Sequence, residues 1–225
     1  MEKIIALLGN IQNIKVISKE IDYTDYIALD LSVTNENLAN QKLATAKDYQ
    51  QYIQNYLESN KAKIAFGGYI EHRNLYQRST VFKNENTDER NIHIGLDLWI
   101  NESAPIYAAL DGKIHSFQDN SALGDYGPTI ILEHEIEGFK FHTLYGHLSL
   151  DSLKDKKVGN FVQQGEQIAS LGLPPINGDY SPHLHFQIII DMENKTGDYP
   201  GVCSSKDLAF YLKNCPDPNL LLKIN

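Results

Sequence analysis

The sequence predicts an α+β chain, mainly antiparallel β, with an N-terminal helical segment and a short C-terminal helix. Three observations lead there. From Tyr69 onward, short apolar segments alternate with Gly, Asn, Asp and Pro punctuation, the spacing of an all-β unit. Between Leu38 and Leu57, apolar residues recur at three- and four-residue steps, the period of an amphipathic helix. Near the end, Ser204 to Asp207 offers a capping box for a short helix that Pro216 and Pro218 stop.

Taken in order, residues 1–33 hold two apolar-rich runs, Ile4–Leu8 and Ile27–Val33, which read as short strands. Thr34, Asn35, Glu36 and Asn37 then supply helix N-cap residues. Leu38, Ala39, Leu43, Ala46, Tyr49, Ile53, Tyr56 and Leu57 follow as one face of a helix of about six turns. The stripe Tyr49, Tyr52 and Tyr56 is assigned to helix packing, and Asn60 and Gly67-Gly68 lie beyond the helix end. Strands are expected over Ile92–Ile100, Ile106–Ala109, Gly112–Phe117, Thr129–His134, Phe139–Leu144, Gln167–Leu171 and His183–Ile190. Asn84 to Asp88 reads as a polar loop, a boundary or a flap. The expected division is 1–68, an α/β segment with a long helix, and 69–225, a β-rich domain with its core at 90–192.

At 225 residues and 42% hydrophobic content, the chain has enough core for one large domain, or a domain with a small appendage. Its 22% charged residues exclude a disordered or coiled-coil composition. A net charge of −9 argues against nonspecific binding to nucleic acid or to an anionic membrane, so no nucleic-acid partner is expected. Two cysteines cannot build a disulfide framework or a Cys-rich zinc site; Cys203 and Cys215 are expected as buried free thiols. No apolar run approaches the roughly 18 residues of a membrane span, so no membrane insertion is expected. Ile4–Leu8 is too short for a signal-peptide core, and the chain reads as cytoplasmic, an expectation that a removed leader would void.

The eight histidines are not placed at random. Three pieces stand out: His93-Ile94-Gly95-Leu96-Asp97, Leu144-Tyr145-Gly146-His147-Leu148, and Ser181-Pro182-His183-Leu184-His185-Phe186. Singly, each is weak, since an H-x-H pair arises by chance roughly 0.25 times in a chain of this composition. His183 and His185 open an apolar strand and share one face, with Leu184 and Phe186 on the other. On that segment alone, a core strand with hydrogen-bonded histidines is the simpler explanation. His93 and Asp97 would stand roughly 13 Å apart on a straight strand, too far for one metal ion. Gly95 at the midpoint permits the bend that brings them together. His93, Asp97 and a further histidine form an N/N/O set, which suits a catalytic zinc site with an open position. The chain has no H-E-x-x-H helix, so the general base must come from the histidines left over.

These residues resemble the lysostaphin-type, LytM-like zinc metallopeptidases of bacterial cell-wall remodelling. The resemblance covers about residues 90–192. It runs from His93–Asp97 through Ala104-Pro105-Ile106-Tyr107-Ala108 and Asp111-Gly112-Lys113-Ile114 to Gly124-Asp125-Tyr126-Gly127. It continues through Leu144–Leu148 and the stretch Val162–Ala169, and ends at Ser181–Gln187. The resemblance implies one Zn2+ per chain, ligated by His93, Asp97 and His185, with His147 and His183 as the non-ligand catalytic pair. It implies a mostly antiparallel β-sheet with the site in a groove on one face, and hydrolysis of an amide bond in a peptide or peptidoglycan cross-bridge. Two departures stand out: Leu173–Tyr180 replaces a Gly/Ser/Thr-rich loop at the cleft border, and Gln187 stands where Glu is common. The flanking stretches 67–82 and 197–222 resemble a bacterial subgroup in which such a domain is joined to kinase-like and aminotransferase domains. The alternative function that follows is a zinc-binding accessory module of a cytoplasmic metabolic enzyme, with a non-wall substrate.

The remaining residues carry simpler expectations. Tyr145, at the parity of His147, either orients the scissile carbonyl or packs, and packing is favoured. His115 and His142 lack partner motifs, and His134 reads as structural. His72, Arg73 and Arg78 read as solvated or domain-packing residues; the functional alternative is a segment lining the groove, with an arginine on a carboxylate.

Overall fold

In the computed structural model, residues 2–12, 14–39, 41, 43–74 and 89–224 are described. Asn84–Asp88 and Arg78, which the sequence singles out, lie outside them. The alternation of apolar residues along 127–146 yields a long hairpin. Its two strands are joined by Glu137 and Gly138, both at positive φ (50° and 79°), a two-residue turn whose twist matches the strands. In chain order the strands are β1 (Tyr26–Ala28), β2 (Ile64–Gly67), β3 (Glu71–His72), β4 (Ile92–His93), β5 (Leu96–Trp99), β6 (Pro105–Tyr107) and β7 (Gly112–Asn120). They continue with β8 (Gly127–Ile136), β9 (Phe139–Gly146), β10 (Phe161–Val162), β11 (Gln167–Ser170), β12 (His183–Ile189) and β13 (Val202–Cys203).

Eight of them form one sheet in the order β1-β2-β5-β12-β9-β8-β7-β10. Only the β1–β2 pair is parallel. The chain is thus α+β with mainly antiparallel strands. Period-2 alternation sends Ile130, Leu132, Phe141, Tyr145, Leu184 and Phe186 into the main core on one face. The opposite face carries Ile131, Leu144 and Ile189 into a second cluster, with Ile92, Met192, Tyr199 and Cys203. A three-stranded sheet, β13-β4-β3, stands over that second face and makes one side of the groove. Among the described residues, no helix is long and apolar enough to cross a membrane.

The N-terminal third departs from the sequence reading in three places. Ile4–Leu8 lies in a helix, α1 (Glu2–Asn10), not a strand. Five apolar residues are too few for period to decide; the helix buries Ile4 and Leu8, one turn apart, in the main core. Of Ile27–Val33, only the start is strand: beyond Ala28 the Asp30 carboxylate accepts from Ser32 N at 2.8 Å and turns the chain. The six-turn helix is two pieces, α2 (Glu36–Ala39) and α3 (Ala46–Asn60). Thr45 starts the second one, accepting from Asp48 N while the Asp48 carboxylate accepts from Thr45 N at 2.8 Å. That capping box, Thr45-x-x-Asp48, is readable in the sequence and outweighs the apolar period that runs across it.

At the C-terminus, Ser204 and Asp207 are hydrogen-bonded to each other, but the helix they precede, α4, spans Leu208–Asn214. A further helix, α5 (Asn219–Leu222), follows the two prolines. Cys203 and Cys215 are buried and free.

Helix α3 lays Ile53 and Leu57 on Leu29, Leu31, Ala65 and Trp99, a cluster of its own beside the end of β5. Leu57→Ala is therefore expected to lower stability by about 2–5 kcal/mol. Denaturant unfolding checks this; a midpoint unmoved from wild type would show that α3 does not support the sheet edge.

Candidate metal centre and cleft

His93 belongs to the small sheet, where β4 pairs with Val202 and Glu71, whereas Asp97 belongs to the large one. Between them the chain changes sheets, and it bends at Gly95. Gly95 also clears space: a Cβ there would collide with the His185 ring. On β12, His185 stands directly opposite Asp97 in the antiparallel register. Three atoms then face one another. His93 Nε2 is 2.9 Å from His185 Nδ1 and 3.3 Å from Asp97 Oδ1, and His185 Nδ1 is 3.2 Å from Asp97 Oδ1. Ligands on a tetrahedral ion at zinc bond lengths stand about 3.3 Å apart. All three residues are buried.

The outer nitrogens fix which lone pairs face inward. His93 Nδ1–H donates to Gly68 O at 2.9 Å. His185 Nε2–H donates to Gln187 Oε1 at 2.9 Å, and Tyr126 Oη lies 3.3 Å from the same nitrogen. The Gln187 amide is itself oriented, its Nε2 donating to Pro200 O and to Cys215 Sγ. Both inner nitrogens therefore present lone pairs toward a carboxylate oxygen, an arrangement that suits a cation and nothing neutral. The second carboxylate oxygen is taken: Arg73 Nη1 donates to Asp97 Oδ2 at 2.6 Å, and Arg73 Nε donates to Glu71. Burial by itself would raise the Asp97 pKa, but its imidazole neighbours, His93 first, and the Arg73 guanidinium outweigh it and hold the carboxyl well below its usual range. Burial lowers His93 to about 4, so its imidazole is neutral and available as a ligand.

His147 and His183 complete the cleft, with ring centroids 4.2 Å apart. His147 Nδ1–H donates to Asn177 O at 2.8 Å, and His183 Nδ1–H donates to Ser181 O at 2.7 Å. Each ring thus turns Nε2 to the cleft as an acceptor. Burial, first of all, pushes both imidazoles below the ordinary histidine range, and for His147 the neighbouring His183 and His185 add to it. The cleft measures about 120 Å³ and is walled by Tyr126 and Tyr180, with Arg90, Asp125 and Asp198 toward its rim.

Tyr145 does not line it. Strand alternation places Tyr145 beside Phe186 in the core, where its hydroxyl accepts from Ala109 N at 2.8 Å. By alternation His147 would follow it inward, but a left-handed φ of 61° at His147 turns that side chain to the opposite face. The other histidines stand apart: His115 and His142 pair with each other, and buried His134 bonds Asp111 O and Thr143. Arg73 does bind a carboxylate, but that of Asp97. Tyr126 and Asn177 fall within stretches that the sequence singles out, but no individual role attaches to them there. Gln187, noted there only as a departure from the resemblance, could have been given a role, because it shares the face of His183 and His185 at i+2 spacing.

Residues 91–197 match the sequence model of peptidase family M23. That stretch, just under half of the chain, is similar to the domains of that family. The M23 domain is a metallopeptidase of the lysostaphin/LytM type, and His93, Asp97 and His185 are the group within it that could hold a metal ion. Among solved structures, the catalytic domain of lysostaphin, an antimicrobial peptidase from Staphylococcus simulans, is 27% identical over 54% of this chain and 80% of that one, with a TM-score of 0.37. The solution structure of lysostaphin is 28% identical over 55% of this chain, which spans 44% of it, with a TM-score of 0.37. LytU is 26% identical over 60% of this chain and 81% of its own, with a TM-score of 0.36. No curated protein matches significantly.

Gly95→Ala is expected to keep the fold, since glycine here is needed for space, and to weaken metal binding by displacing the His185 ring. Metal titration beside a circular dichroism spectrum checks it; undiminished affinity would show that the ring has room to move.

Proposed function

We propose that the chain is a zinc-dependent endopeptidase that cuts an amide bond in a peptide or a peptidoglycan cross-bridge. His93, His185 and Asp97 would hold the zinc, one ion per chain. The observation that carries this is the inward-facing lone pairs: each outer nitrogen is already committed to an oxygen acceptor, so the three inner atoms have no proton to share. Zinc there would supply a Lewis acid that polarises the scissile carbonyl and acidifies water.

The chain's own part follows from His147 and His183. Both are neutral and both offer Nε2 to the cleft, so either accepts the proton of the attacking water. Once protonated, that imidazole donates to the developing oxyanion and then passes its proton to the leaving amine. The carbonyls of Asn177 and Ser181 hold the rings through Nδ1 and stabilise the charged form while it lasts. Arg73 occupies Asp97 Oδ2 and keeps the carboxylate one-handed toward the metal. Residues 69–225 make up the catalytic domain, and residues 1–68 brace and wall it. The intact pair of cleft imidazoles favours turnover over a purely accessory role.

Metal analysis with substitution tests the roles. His185→Ala should lose zinc. His147→Ala and His183→Ala should keep it and lose turnover by about 10²-fold or more. Loss of metal in His183→Ala, with retention in His185→Ala, would reverse the assignment. The substrate class is tested by amine release from peptidoglycan and from glycine-rich peptides, with and without a chelator. No chelator-sensitive cleavage of any amide would end the peptidase reading.

A further inference from the structure

A second recess adjoins the cleft, and residues inside and outside the M23 match build it together. It holds about 20 Å³ and lies between α3 and the approach to β12. Leu31, Ala46 and Ile53 come from the N-terminal segment, Trp99 from β5 and Ser181 from the turn before His183. The recess shares Arg73, Asp97, Tyr180 and His183 with the cleft as common walls. Ser181 is 5% exposed, yet its Oγ has no hydrogen-bond partner among the described residues. A buried hydroxyl left unpaired is costly and calls for an occupant.

Resting on the peptidase reading, we propose that this recess is a specificity subsite for one small hydroxyl side chain, that of serine, next to the scissile bond. The volume suits it: a cavity needs about 10–15 Å³ to hold one water-sized group, so two heavy atoms fit and a branched chain does not. The chemistry suits it too. Leu31, Ile53 and Trp99 meet the methylene, and Ser181 Oγ meets the hydroxyl. The location is next to catalytic His183, on whose ring Trp99 stacks at 5.8 Å and whose Nδ1 bonds Ser181 O.

The test uses oligoglycine peptides carrying one Ala, Ser, Val or Leu on either side of the cut bond. With the zinc-loaded protein, kcat/KM should favour Ser over Gly by about tenfold, with Ala between them and Val and Leu excluded. Ser181→Ala should bring the Ser-to-Ala ratio down about three- to tenfold. Ile53→Ala should admit Val; if that variant fails to fold, Ser181→Ala decides alone. Equal kcat/KM across the series, or a Ser-to-Ala ratio indifferent to Ser181→Ala, would make the recess a hydration site and overturn the proposal. Trp99 is the sole tryptophan, so its emission reports occupancy without turnover. In metal-depleted protein, serine peptides should shift it and all-glycine peptides should not. If no peptide of this series is cut, the peptidase reading is decided by the peptidoglycan and wider amide test above; a serine-selective Trp99 response still upholds the subsite, and a flat response removes it.

Discussion

The structure depends on keeping one ionised carboxylate, Asp97, almost wholly out of water. It is 1% exposed, and an unpaired charge at that depth costs several kcal/mol. The fold meets this by surrounding it. Arg73 takes Oδ2, and His93 and His185 converge on Oδ1. Arg73 answers Glu71 as well, so the buried group of Glu71, Arg73 and Asp97 keeps a net negative charge. Neutral imidazoles with inward lone pairs cannot cancel that charge, and a divalent cation can. The bend at Gly95, the two-residue β4 and the register that sets His185 against Asp97 all serve this one arrangement.

The same carboxylate ties the N-terminal third to the chemistry. Leu31 N–H donates to Glu71, Glu71 holds Arg73, and Arg73 holds Asp97. Helix α3 packs on Trp99, Trp99 stacks on His183, and the Arg73 guanidinium lies over the Trp99 ring. β1 and β2 add two strands to the edge of the main sheet. A segment that the family match does not include is therefore part of the wall of the site. Charge pairing in a buried region couples such parts more strongly than surface contact would, because removing one partner strands the other.

Much of the site was legible. A glycine midway between His93 and Asp97 announces a bend, and H-x-H parity puts two imidazoles on one strand face. The β segments from Ile92 to Ile190 were legible as well, because alternation and turn residues act within a few positions. Misreadings arose where local signals were short or in competition. Ile4–Leu8 was too brief for its period to speak, and the Thr45–Asp48 cap interrupted a helix that the apolar pattern carried through. Tyr145 follows strand alternation into the core, the packing favoured from the sequence, and it is His147, in a left-handed conformation, that leaves the alternation. Arg73 could be read as a carboxylate binder, but its partner lies 24 residues on, in another sheet.

By itself, the sequence determined which atoms were available: imidazoles and a carboxylate in place of thiolates, on strands whose period decides their faces. Those are local properties, set by side-chain chemistry and by neighbours a few residues away. The tertiary structure alone decided how those atoms meet. His93 and His185 are 92 positions apart and come together only through the pairing of β5 with β12 and the bend at Gly95 that leads into β5 from β4. It also decided which nitrogen of each ring faces inward, since the choice rests on the Gly68 carbonyl and the Gln187 amide. The reason is physical: a hydrogen bond fixes a tautomer only once both partners are held within about 3 Å, and for distant residues only the packed sheet holds them there.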